Sequence, residues 1–120
     1  MRASRFDPDA LLADVLGSRT AVLGVLQVFA PWQASTQAEL QAAAARGERE
    51  RLRQLAHTIR GALLQLHAAE GVARARALED CCTDESVPYA AATLALQEEL
   101  RALDDEIRHW LALHAKSSGS

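Results

Sequence analysis

The sequence predicts an all-α fold, an antiparallel up-and-down four-helix bundle with a short extra N-terminal helix. Three observations predict it. Alanine and leucine dominate a chain of 120 residues that is 49% apolar and only 4% aromatic, and both residues lose little on entering a helix. Apolar side chains recur at spacings of three and four, and no strand-like alternation interrupts them. The connections are short, and long helices joined by short connections pack against their neighbours antiparallel. The length suits one domain over residues 1–120, with an ordered core over about 7–114 and a tail over 115–120 expected to be a disordered end.

Taken in order, Asp7-Pro8 is a helix start, an N-cap candidate followed by proline at the first helical position. A short helix follows to about Leu16 and stops at Gly17. Ser18 caps the next helix, in which Val22, Leu26 and Phe29 share a face. Pro31 falls inside that pattern and should kink or split it. The periodicity resumes with Leu40 and an alanine run, and Gly47 stops it. A third long stretch runs from about Glu48 to Ala69, and Gly71 marks the break after it. Val72, Ala75, Leu78 and Cys82 form one face of the following helix. The segment Thr83-Asp84-Glu85-Ser86-Val87-Pro88 is a turn. A last helix runs from about Pro88 to His114, with the stripe Leu96, Leu100, Leu103, Ile107 and Trp110. Trp32 and Phe29 belong with Ile107 and Trp110 in core or edge packing. Arg74 and Arg76, and the carboxylates Asp104, Asp105 and Glu106, suit solvated faces.

Composition also excludes. The formal charge is −3, which argues against a nucleic-acid partner. Cys81 and Cys82 are adjacent and suit reduced thiols rather than a disulfide framework. No apolar run reaches bilayer length and no signal pattern opens the chain, so a cytoplasmic domain without direct membrane contact is expected. His67, His109 and His114 are poorly spaced for joint metal ligation. Glu106 and His109 form a single Glu-x-x-His pair without a second one, so no metal site is expected. The chain has no glycine-rich phosphate loop, so it should have no ATP-dependent activity of its own.

The stretch around His57 is the informative one. On a helical wheel Leu52, Leu55, Ile59, Leu63 and Leu66 fall within about 60° of the point opposite His57. The imidazole therefore points to water. Around it lie Glu50, Arg53, Gln54, Arg60, Gly61 and Leu64. Gly61 costs about 1 kcal/mol relative to alanine in a helix interior, and it bares the backbone one turn from the imidazole. A guanidinium at Arg60 suits phosphoryl oxygens. Leu64 is a large apolar residue on a face that should be wet, as in a contact patch. Each feature alone has a plainer reading: a surface histidine, a close helix contact, a solvated basic face.

Ala56-His57-Thr58-Ile59-Arg60-Gly61 resembles the signature of histidine-containing phosphotransfer (HPt) domains, commonly A-H-x-L-K-G. Leu78-Glu79 falls where that family has Leu-Glu near the end of the next helix. Arg60 stands for the usual lysine. His67-Ala68 stands where Gly-Ala is frequent, and Gly71 where a leucine is usual. The resemblance implies that His57 accepts a phosphoryl group from a receiver-domain aspartate and passes it to a response-regulator aspartate. Arg60 would steady the phosphoryl oxygens and Gly61 would give steric clearance. Arg53, Gln54 and Leu64 would contact the partner. The Mg²⁺ of the transfer would belong to the receiver. The parent implied is a hybrid sensor histidine kinase, with this domain at its cytoplasmic end and monomeric in isolation. The alternative is a non-catalytic helical interaction module.

Overall fold

A computed structural model describes residues 4–118, with side chains described up to His114. It contains α1 (Pro8–Asp14), α2 (Arg19–Gln27), α3 (Phe29–Ala45), α4 (Arg49–Gln65), α5 (Ala69–Thr83) and α6 (Ala90–Ser118), and no strand among the described residues. Helices α3, α4, α5 and α6 form a ring in which each touches the next, with α4 packed most extensively on α5. This is the expected all-α four-helix bundle. Helix α2 packs on α3 and α6, and α1 rests on α2.

The starts follow local chemistry. Asp7 accepts the backbone N–H of Ala10 at 3.0 Å, and Ser18 accepts that of Ala21 at 3.2 Å, so both N-caps form as expected. Pro31 splits the helix, but the break falls upstream at Val28. Proline has no N–H to reach the carbonyl of Gln27, so the ladder opens one turn before the ring.

The core is built from evenly spaced leucines. Leu26, Leu40, Leu52, Ile59, Leu63, Leu78, Leu96, Leu100, Leu103 and Ile107 are fully buried, each contributing roughly 1.5–3 kcal/mol. The whole predicted stripe of α4 is inside: Leu52, Leu55, Ile59, Leu63 and Leu66 are all at most 7% exposed. Phe29 is buried too, and Trp32 and Trp110 flank the core.

Three expectations need correction. The helix carrying His57 ends at Gln65, not Ala69, and the break is at His67 rather than Gly71. His67 has φ +55°. The N–H of Ala68 reaches the carbonyl of Leu63 at 3.0 Å, and that of His67 reaches Leu64 at 3.1 Å, a Schellman stop with histidine in the usual glycine position. Gly47 ends α3 by the same pair of bonds, at φ +67°. Gly71 instead lies within α5, where an added Cβ would sit 2.7 Å from Leu63 Cδ1; it exists for packing. Second, α6 continues through Ser118, beyond the expected end near His114, and only Gly119 and Ser120 of the tail lie outside the described residues. Third, Glu106 and Asp104 are not on a solvated face: Glu106 has a side chain 17% exposed and accepts from the backbone N–H of Arg5 at 2.7 Å, and Asp104 is 6% exposed and accepts from Arg108 Nε at 2.8 Å. Asp104 is next to Leu103 and four residues after Leu100, which puts it on the core edge of α6.

One residue ties the start of α4 to the far end of α5. Arg49 donates to the carbonyls of Cys81 (2.8 Å), Asp84 (3.1 Å), Val87 (2.9 Å) and Glu85 (3.3 Å), and its guanidinium lies 4.9 Å from the Tyr89 ring centre. These bonds fix the α5–α6 turn against α4, and with it the register of α5 beside the His57 face.

Candidate functional site

His57 stands on the outer face of α4 with its side chain 63% exposed. The burial of Leu52, Leu55 and Ile59 on the opposite face holds it there. Its Nδ1 lies 3.0 Å from Glu79 Oε2 on α5 and 3.1 Å from Arg60 Nη2. Arg60 Nε in turn donates to Glu79 Oε1 at 2.9 Å. Glu79 thus binds both residues with its two oxygens, and it is only 16% exposed.

The two neighbours make opposite demands on Nδ1. Glu79 needs an N–H to accept, and Arg60 needs a lone pair to donate to. One ring nitrogen satisfies only one of them. A lone pair on Nδ1 would face an ionised oxygen at 3.0 Å and leave that oxygen without the proton. Arg60 has other N–H groups and partial access to water. The protonated Nδ1 is therefore the favoured arrangement, and the unprotonated nitrogen of the neutral ring is Nε2. The carboxyl of Glu79 is held below its ordinary value chiefly by the Arg60 hydrogen bond, against an opposing burial effect, with a further hydrogen bond from His57. It is an anion near neutral pH.

The remaining residues expected around the site are brought to the same face but engage differently. Arg53 and Glu50 form a two-pronged pair, Nε–Oε1 at 2.9 Å and Nη2–Oε2 at 2.6 Å. That pair lowers the Glu50 carboxyl and raises the Arg53 guanidinium, in both cases first through the hydrogen bond. Gln54 donates to Glu50 at 3.4 Å. Gly61 is exposed, and a Cβ added there would meet nothing within 4 Å. Internal packing therefore gives no reason for glycine at this position. Leu64 is 53% exposed.

The other histidines do not gather. His67 Nε2 pairs with Asp14 Oδ2 at 2.7 Å, and His114 stacks on Trp110 at 3.8 Å between ring centres. Among the described residues no group of three or more His, Cys, Asp or Glu side chains is placed to hold a metal ion. No single described helix is long and apolar enough to cross a membrane.

Glu79 is the residue beside His57 that sequence reasoning used only as a landmark. A signal for its contact existed. Helices joined by a tight turn pair residues equidistant from that turn, and His57 and Glu79 each lie eleven residues from Ala68. Placing the break at Gly71 hid this, because it sets residue 85 opposite His57 instead.

A family model described as Hpt domain matches residues 24–110, which covers α3, α4 and α5 entirely, most of α6 and the last four residues of α2. No curated protein and no solved structure matches the chain.

Proposed function

The chain belongs to the Hpt domain family, whose members transfer phosphoryl groups through histidine in phosphorelays and interact with receiver domains; from that premise we propose that His57 is the phospho-acceptor, loaded by a receiver-domain aspartate and unloaded to the aspartate of a response regulator. The observation that carries this reading is the exposed imidazole whose Nδ1 is held by Glu79 at 3.0 Å, leaving Nε2 towards water.

Nε2 of the neutral ring attacks phosphorus, the Nε2–P bond forms, and the P–O bond to the aspartate breaks. The aspartate leaves as a carboxylate. The ring now carries positive charge with its proton still on Nδ1, and the Glu79 anion lies beside that proton. The return step reverses this: a receiver carboxylate attacks phosphorus and neutral Nε2 leaves. The transition state is loose, so positioning and charge do most of the work. Arg60 spends Nε on Glu79, and its other N–H groups remain to steady the phosphoryl oxygens. Gly61 clears the approach. Arg53, Gln54 and Leu64 meet the docked partner. The Mg²⁺ of the transfer is held by the receiver. We further propose a cytoplasmic setting, a monomeric domain, and a hybrid sensor kinase as parent.

Incubation with a phosphorylated receiver should give an acid-labile, base-stable label on the chain. His57→Gln should abolish it while far-UV circular dichroism stays helical. Label retained in that variant would overturn the assignment and favour another acceptor, and absence of label on the unaltered chain would favour a purely non-catalytic interaction module.

A further inference from the structure

Helices α1, α3 and α4 close themselves. Each ends in a residue in the left-handed region, Gly17, Gly47 and His67, with backbone N–H groups turned back to its own carbonyls. Helix α5 has no such stop. Asp84 follows it with an extended backbone, φ −119° and ψ 109°. The last four carbonyls of a helix have no partner within it, and at α5 a side chain of α4 supplies one. Arg51, Arg53 and Arg60 of α4 each pair with a carboxylate. Arg49 instead spends its guanidinium on backbone: Nη1 donates to Cys81 inside the last turn of α5 and to Asp84 and Val87 beyond it, and Nη2 donates to Glu85. Its positive charge thus meets the negative end of the helix. Glu79 lies one turn from the end of α5 at Thr83.

We propose that Arg49 is a positioning residue for phosphotransfer: by capping α5 from the first turn of α4 it holds Glu79 against Nδ1 of His57 and so keeps Nε2 as the nucleophile. The inference rests on the phosphotransfer reading above. Arg49 and His57 are eight residues apart on α4, about 12 Å along its axis. Arg49 therefore touches neither the imidazole nor the phosphoryl group and acts through α5. Helix α4 grips the end of α5 at two points, through Arg49 at the turn and through His57 and Arg60 on Glu79. Helix ends fray. With the cap removed, fraying that starts at Thr83 reaches the turn that carries Glu79, and each excursion takes the carboxylate off Nδ1. An imidazole without that acceptor is free to move its proton to Nε2, the nitrogen that has to attack.

Nitrogen-15 chemical shifts of the His57 ring, read in the full chain at a pH where the ring is neutral, report the tautomer without any phosphodonor. The unaltered chain should show Nδ1–H. Arg49→Met should raise the Nε2–H share, and Arg49→Lys, whose ammonium has three donors for four carbonyls, should raise it part of the way. Transfer should slow about threefold in Arg49→Met, with a phosphorylated receiver and with the small donor phosphoramidate alike, and KM for the receiver should change little. In a Glu79→Gln background the same substitution should cost nothing further, because the two residues act in series. Both readouts are taken on protein that circular dichroism shows to be folded. An unshifted ring in Arg49→Met, an Nε2–H ring in the unaltered chain, or additive losses in the double variant overturns the proposal. Should Arg49→Met not fold, Arg49→Lys decides alone, and an unshifted ring there overturns it. If the unaltered chain takes no label on His57 from either donor, the phosphotransfer reading itself has failed, while the ring shifts still decide whether Arg49 holds Glu79 in place.

Discussion

Gly61 and Gly71 stand ten residues apart on neighbouring helices, and they are glycine for opposite reasons. At Gly71 an added Cβ would sit 2.7 Å from the buried Leu63 side chain; at Gly61 it would meet nothing. One is required by the interior, where α5 presses on α4. The other costs helix stability with no internal return. A glycine with open space around it has no reason in the interior, and the one at 61 lies a single turn from an exposed imidazole. The same contrast separates the two faces of α4: the leucine side is closed by packing, and the histidine side is held open.

The sharpest way to break the comparison is to fill both glycines. Gly61→Leu should slow transfer from a phosphorylated receiver at least about tenfold, a barrier change of about 1.4 kcal/mol. The fold itself should gain roughly 0.5–1 kcal/mol, because leucine is the better helix former. Stopped-flow transfer and thermal melts measure the two effects separately, and unchanged kinetics would remove Gly61 from the site. Gly71→Ala should act the other way. Overpacking against Leu63 should cost about 1–2 kcal/mol, read as a lower denaturation midpoint. The methyl end of Leu63 can shift somewhat, which keeps the cost at that level. Transfer by the folded fraction should be little affected.

Glu79→Gln probes the open face from its α5 side. An amide is a weaker acceptor for Nδ1–H and gives no charge to the phosphorylated ring, so transfer should slow about fivefold, ~1 kcal/mol. This substitution also carries a pH signature. The folded carboxyl is held below its ordinary value of 4.5, so the folded state binds fewer protons there than the unfolded chain. The stability it contributes is fully present above about pH 4.5 and is lost as pH falls through the lower folded value. The stability difference between the native chain and Glu79→Gln should therefore narrow in acid, and denaturant midpoints between pH 7 and 3 measure it. A difference independent of pH would mean that Glu79 is not held as an anion by Arg60 and His57.

Two of the six helix starts were readable because caps are local: Asp7-Pro8 and Ser18 act within a few residues of themselves. The buried stripe of α4 was readable because period and burial coincide over five leucine and isoleucine positions. Asp104 was misplaced because a charged residue at the core margin looks the same in sequence as one in water, and only the neighbouring helices decide how much of it they cover. The anchoring of the α5–α6 turn by Arg49 was invisible for a related reason: its carbonyl acceptors lie more than thirty residues away and carry no side-chain signature.

By itself the sequence determined that the chain is helical, which side of α4 is buried, and that His57 looks outward beside Arg60 and Gly61. These follow from a 3.6-residue period and from side-chain chemistry within one or two turns. Only the tertiary structure decided what His57 touches. A histidine in the left-handed turn at 67, rather than the glycine at 71, sets where α4 ends and how α5 returns. That register brings Glu79 to the imidazole across eleven residues on either side of Ala68. A shift of a few residues in the turn would have delivered a different side chain, because antiparallel helices pair by their distance from the turn and not by their own composition.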